Sequence, residues 1–195
     1  MDTEATALAV RRDRWASWAV VGLVIVALLL GWAVKAVAEG RTWVHEVDGL
    51  RIPYPAGWIR ATADPPVLLQ VEKLDSPART TLTLQRRPVT ADAASPLNAV
   101  HQALTLERGR TWTAYRVLEV EPSAAVAGRE ALRVTFAYVE TNANPFLKAA
   151  PVVMLGEEYL FVVGQNVQVV TLTAAEANFD RALKDLHAFL RSSPK

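Results

Sequence analysis

There is no cysteine anywhere in the 195 residues of this chain. That absence removes disulfides, thiolate metal sites, cysteine nucleophiles and lipid attachment through a thiol. Histidine is scarce too: His45, His101 and His187 are far apart, without the i, i+4 spacing of a helical metal site or a carboxylate motif beside them. The nine glycines are isolated, so neither a G-x-S-x-G elbow nor a phosphate loop is present. Charge of one sign is also missing, because acidic and basic residues beyond Val37 are equal in number. A neutral domain lacks the footprint of a nucleic-acid binder. The expectation is therefore a non-catalytic protein with no metal and no cofactor.

What the chain does have is Trp15 to Val34, WASWAVVGLVIVALLLGWAV, a run without a charge. At about 1.5 Å per residue a helix of this length spans roughly 30 Å, the hydrocarbon thickness of a bilayer. A helix also satisfies its own backbone groups, which lipid cannot do. Trp15 and Trp18 at one end and Trp32 at the other suit the headgroup zones. Ala27 and Gly31 form a small-x-x-x-small pair that permits close helix packing. Arg11, Arg12 and Arg14 precede the run, whereas Lys35 and Arg41 follow it, which keeps the N-terminus cytoplasmic. The competing reading is a signal peptide cut after Ala36-Val37-Ala38, but the apolar run exceeds the usual length of such a segment. The expected organisation is a cytoplasmic tail over 1–14, a transmembrane helix over 15–37, a linker over 38–42 and an extracytoplasmic domain over 43–195.

Within that domain the pattern is mostly β. Asp48-Gly49 between alternating runs predicts a hairpin, and Pro55-Ala56-Gly57-Trp58 a turn that returns an aromatic to the core. Strands are expected at 67–73 and 79–86, where Leu82 and Leu84 face one way and Thr81, Thr83 and Gln85 the other. Ser95-Pro96 predicts a helix start, with Leu97, Val100 and Leu104 at helical spacing and Gly109 as the stop. Further strands are expected at 116–121 and 130–140, separated by Pro122 and Gly128. Others follow at 152–155, 159–164 and 167–173, with turns at Gly156-Glu157 and Gln165-Asn166. Thr173 and Glu176 read as a capping box for a last helix carrying the stripe Phe179, Ala182, Leu183, Leu186, Phe189 and Leu190. Hairpin-linked strands with few helices imply an α+β fold with a mostly antiparallel sheet.

Several of these segments resemble PsbP-like domains. Val47-Asp48-Gly49-Leu50-Arg51-Ile52-Pro53-Tyr54-Pro55-Ala56-Gly57-Trp58 resembles their opening strand and turn. Val126-Ala127-Gly128-Arg129-Glu130-Ala131, preceded by Val117-Leu118-Glu119, is similar to their V–x–G-R–E–A strand pair, and the helix from Phe179 to Phe189 matches their last element. The resemblance covers roughly residues 43–192 by order and pattern. It implies an α/β/α sandwich and the roles of that group: photosystem extrinsic subunits, a Ran-binding import factor, and secreted bacterial lipoproteins that include DcrB-like members. Most are non-catalytic. The chain departs from the lipoproteins in replacing a Cys anchor with an apolar helix.

Candidate contacts remain. Phe146 and Leu147, in the loop Asn142–Pro151, are either a partner contact or folded back on the core. Arg108, Arg110 and Trp112 read as an anion-binding cluster or a solvated turn with a tucked indole. The pairs Glu119/Glu121 and Glu157-Glu158 read as solvated carboxylates near turns. Two functions fit. One is an accessory or assembly subunit of a membrane complex, bound to the bilayer and to protein partners. The other is a free-standing anchored domain holding a small ligand or lipid in a sandwich cleft.

Overall fold

The computed structural model describes residues 2–39, 42–47, 50–55, 57–89, 95–126, 128–141 and 150–192, with side chains in the first helix from 18 to 37. The chain divides into two compact units, Met1–Arg41 and Thr42–Lys195.

The first unit is one helix, α1 (Asp2–Glu39). It contains no proline, and Ala, Leu and Trp keep its interior helical. Trp18–Val37 is long and apolar enough to cross a membrane. A signal sequence near an N-terminus can meet the same criterion of length and composition. The apolar residues surround the whole helix and form no single stripe, the pattern of a helix whose every side meets lipid or protein.

The second unit is an α+β sandwich. A hairpin comes first, β1 (Thr42–Val47) and β2 (Leu50–Pro55), with Val47 opposite Leu50, as the two-residue turn predicts. Seven further strands form one antiparallel sheet: β3 (Ile59–Arg60), β4 (Val67–Lys73), β5 (Thr80–Pro88), β6 (Thr113–Val126), β7 (Arg129–Glu140), β8 (Val152–Val163) and β9 (Asn166–Ala175). Their spatial order is β3-β4-β5-β9-β8-β7-β6. Between β5 and β6 the chain crosses the sheet through α2 (Pro96–Thr111), and it ends in α3 (Phe179–Ser192).

Strand alternation sends side chains to two cores on opposite faces. On one face Leu69, Val71, Leu82, Leu84, Val170 and Leu172 meet Ala182, Leu186, Phe189 and Leu190 of α3, with Ile52 and Trp58 closing the side. The Trp58 N–H donates to the Pro55 carbonyl at 3.1 Å, so that turn does deliver its indole inward. On the other face Leu132, Val134, Phe136, Leu160, Val167 and Val169 meet Val100 and Leu104 of α2. At about 25 cal/mol per Å² of apolar surface, each fully buried leucine or phenylalanine contributes roughly 1.5–3 kcal/mol.

Several boundaries differ from the pattern reading. Gly109 does not end α2; the helix runs to Thr111, and Trp112 stops it by turning extended while its N–H reaches the Arg108 carbonyl at 2.7 Å. Pro122 does not break β6, because β6 is an edge strand and its register shifts between Glu121 and Ala124; an edge tolerates the missing donor. Gly156-Glu157 is not a turn. β8 passes straight through, and the Phe136 ring of β7 lies over Gly156 where a Cβ would otherwise sit. Thr173 caps no helix: it belongs to β9, a 3-10 turn (Glu176–Asn178) follows, and α3 starts at Phe179. Ser95 precedes α2 as expected but makes no side-chain cap bond.

Candidate functional site

α2 lies over the β6, β8 and β9 part of its face. The remainder of that face, over β4 and β5, carries no helix among the described residues and becomes polar. Odd-numbered residues of β5 point there: Thr81 stands opposite Thr173 of β9, and Thr83 opposite Thr171. On the other side, Glu72 of β4 pairs with Thr81, and Gln70 with Thr83. Four threonines on two neighbouring strands thus floor an open groove of about 1010 Å³. Glu107, Arg108 and Thr111 of α2, with Trp112 just beyond its end, form one wall. Asp75, Pro77 and Arg79 bound it beside β4, and Tyr138, Glu140, Thr141 and Ala150 lie at one end.

Most charges in this groove are committed. Arg79 meets Glu72 at 3.0 Å, and Arg87 reaches across to Glu107 of α2 at 3.0 Å while also donating to Gln85 at 3.2 Å. Asp75 accepts from Thr80 at 2.8 Å and from Arg181 of α3 at 2.8 Å. Gln70 donates to Glu72 at 3.0 Å. Deepest of all, Arg108 pairs with Glu158 of β8, whose residue exposures are 6% and 0%. Thr171 donates to the same carboxylate oxygen at 2.8 Å. The Arg108 guanidinium also lies 4.8 Å from the Phe136 ring centre and 5.1 Å from that of Trp112, a cation–π arrangement. Burial alone lowers an arginine pKa, but the Glu158 charge and its hydrogen bond outweigh that and raise Arg108 above its ordinary value. This pair marks the border between the apolar core under α2 and the hydroxyl floor.

A smaller cavity of about 360 Å³ lies on the other face, lined by Glu121, Arg133, Tyr159, His187 and Arg191 among others. Arg133 is paired with Glu121 at 3.0 Å and Glu119 at 3.4 Å. Tyr159 donates to Glu157 at 2.7 Å, and His187 stands 3.7 Å from the same carboxylate. Burial, with Glu157 adding to it, pushes the Tyr159 phenol well above its usual value. These groups tie α3 to the sheet. Among the described residues no three His, Asp or Glu side chains are grouped to hold a metal ion.

No protein-family model matches the sequence, and no curated protein does. Solved structures with a similar chain path include PsbP (CyanoP) of the cyanobacterium Synechocystis, at 17% identity over 80% of this chain and 91% of that one, with a TM-score of 0.49. The Ran-binding protein Mog1p of Saccharomyces cerevisiae is 10% identical over 78% and 92%, with a TM-score of 0.49. LpqN of Mycobacterium tuberculosis, involved in cell envelope biogenesis, is 10% identical over 79% and 91%, with a TM-score of 0.47. These likenesses carry no conclusion about function.

The residues singled out by sequence fall into three groups. Trp18 and Trp32 are exposed on α1, as is Gly31, which has open space beside it. Ala27 is exposed on the same helix, and Trp15 lies in it with a side chain outside the described residues. Phe146 and Leu147 lie outside the described residues altogether. Of the Arg108, Arg110 and Trp112 cluster, only Arg110 is exposed. Arg108 is buried on Glu158, and Trp112 packs at 4.4 Å on Tyr138. Glu157 and Glu158 are not solvated either: both are strand residues, 6% and 0% exposed. The groove itself was not foreseen. Its signal is Thr-x-Thr alternating with apolar residues in two strands, TLTL and TLTA, which alternation places on one face but cannot pair.

Proposed function

We propose that this chain is a membrane-anchored, non-catalytic accessory protein. Its N-terminus is cytoplasmic, α1 is retained as a single-pass anchor, and the extracytoplasmic sandwich binds a partner in a membrane complex along the α2-face groove. The observation that carries the reading is the groove: wide, open and polar, with Arg79, Arg87 and Arg108 each already paired to a carboxylate. Catalytic groups need freedom to exchange protons or attack, whereas fixed polar groups suit holding. The resemblance of Val47–Trp58 and Val126–Ala131 to PsbP-like segments supports the same class of role. A lipid in a sandwich cleft draws less support, because the floor is polar and the apolar residues around it are interspersed with polar ones, leaving an acyl chain no continuous apolar surface to bury.

The test is to solubilise native membranes in mild detergent and size the protein, alongside a Thr83→Trp variant that fills the groove. The expected result is a complex larger than the monomer, released by the variant. Migration of the wild-type chain as a lone monomer overturns the subunit reading. A native mass beginning at Glu39 overturns the anchor.

A further inference from the structure

The floor of the α2-face groove consists of side chains from strands already paired on both sides. Thr81 and Thr83 of β5 lie between β4 and β9, and Thr171 and Thr173 of β9 lie between β5 and β8. Their backbone N–H and C=O groups are therefore occupied in ladders. A peptide cannot add itself here as a further strand, the mode that supplies main-chain hydrogen bonds at a sheet edge. What the floor offers is hydroxyl and amide. Thr171 is committed to Glu158, while Thr81 and Thr83 have no side-chain partner among the described residues. Gln70 and Gln85 flank them, each oriented by a charged neighbour, Glu72 and Arg87.

An anionic ligand needs an uncommitted cation, and the three arginines of the groove already face carboxylates. An apolar ligand needs a continuous apolar wall, whereas the apolar residues here, among them Pro66, Val67, Pro77, Trp112, Tyr138 and Val152, are interspersed with polar ones such as Gln70, Asp75, Thr111 and Glu140. The volume of about 1010 Å³ is at the top of the range of about 300–1,000 Å³ for small-molecule sites, which favours an extended chain over a single small molecule. Thr81 and Thr83, two residues apart on β5, present their hydroxyls on the same face, whereas Thr171 and Thr173 opposite them are buried. Planar amides held in fixed networks, repeated hydroxyls and aromatic carbon at one end are complementary to a chain of neutral hydroxyl-bearing rings.

We propose that the groove binds a neutral oligosaccharide, with Thr81, Thr83, Gln70 and Gln85 as its hydrogen-bonding floor. This rests on the reading of the groove as the surface that meets a partner, and identifies what enters it as that partner's neutral glycan.

The experiment uses the full chain in nanodiscs, which avoids sugar-based detergents. Maltohexaose, cellohexaose and chitohexaose serve as neutral probes, hexagalacturonate as a charged counterpart and a neutral Ser/Gln-rich decapeptide as a control. The expected result is saturable binding of at least one neutral hexasaccharide, with NMR shifts confined to β4, β5 and β9. In the double variant Thr81→Val, Thr83→Val, which keeps side-chain shape and strand preference, affinity falls at least about tenfold, as expected for losing two hydrogen bonds. A retained dispersed spectrum shows that this variant is folded. No binding of any neutral probe, equal affinity in the double variant, or preference for hexagalacturonate or the peptide each overturns the proposal. A photo-cross-linker replacing Ala78, which also lines the groove, separates the two readings. Capture of a protein in native membranes without saccharide binding overturns the oligosaccharide and leaves the accessory role standing. Neither capture nor binding overturns both.

Discussion

Arg108 of α2 and Glu158 of β8 form an ion pair almost wholly withdrawn from water, and Thr171 donates to the same carboxylate oxygen at 2.8 Å. The second carboxylate oxygen, Glu158 Oε1, is buried with no hydrogen-bond partner among the described residues. Two charges buried together contribute little net stability, but removing one strands the other. Arg108→Met is therefore expected to destabilise the sandwich by about 3–5 kcal/mol. The double variant Arg108→Met, Glu158→Leu recovers most of that loss. Chemical denaturation followed by tryptophan fluorescence measures these and the Glu158→Leu single variant, and a double-variant loss equal to the sum of the two single losses would show that the pair is not coupled.

Gly156 and Phe136 make a second obligatory pair. The ring occupies the space above the glycine, and both residues lie in the middle of strands in register. Gly156→Ala forces the ring out of a core in which Phe136 is fully buried. Overpacking of this kind costs about 1–3 kcal/mol or more. Adding Phe136→Leu to Gly156→Ala should return part of the loss, and a double-mutant cycle reads the coupling.

Ala114 has φ of 53°, a left-handed conformation that costs a residue with a Cβ roughly 1–2 kcal/mol. It sits where the β6–β7 register shifts between Thr113 and Arg116. Ala114→Gly relieves that strain at some entropic cost in the unfolded chain. The expected outcome is a small rise in melting temperature; a fall would place the benefit in the alanine methyl.

His101 of α2 has a pKa below its ordinary 6.5, chiefly through burial, with Glu158 pulling it back up and Arg108 adding to the depression. The unfolded chain therefore takes up a proton more readily than the folded one between the depressed value and 6.5. Stability rises with pH across that window and is lost as pH falls through it. His101→Gln is expected to flatten the stability profile below pH 6.5, which denaturation midpoints at successive pH values would reveal.

The lack of cysteine makes the topology directly measurable. Thr6→Cys and Asp180→Cys each introduce the only thiol in the chain. A membrane-impermeant maleimide applied to intact cells should label position 180 and not position 6. Labelling of position 6 alone reverses the orientation.

The α+β class, the β1–β2 hairpin, the inward Trp58, the start of α2 and the apolar stripe of α3 were all legible in the sequence. Each is local: a two-residue turn, a proline at a helix start, or a period of 2 or 3.6 is set by neighbours along the chain. The long apolar run of α1 was legible for the same reason, since length and composition alone define a candidate span. The locations of Glu157, Glu158 and Arg108 were not. A carboxylate next to a glycine looks like a solvated turn until a ring from another strand covers that glycine and carries β8 through. The same holds for the threonines. Alternation puts Thr81 and Thr83 on one face and Thr171 and Thr173 on another strand's face. Only insertion of β9 between β5 and β8 brings them together. Sequence determined which face each side chain takes. Tertiary structure decided which faces meet and which charges lose their water, because strand order depends on contacts distant in sequence that no local pattern encodes.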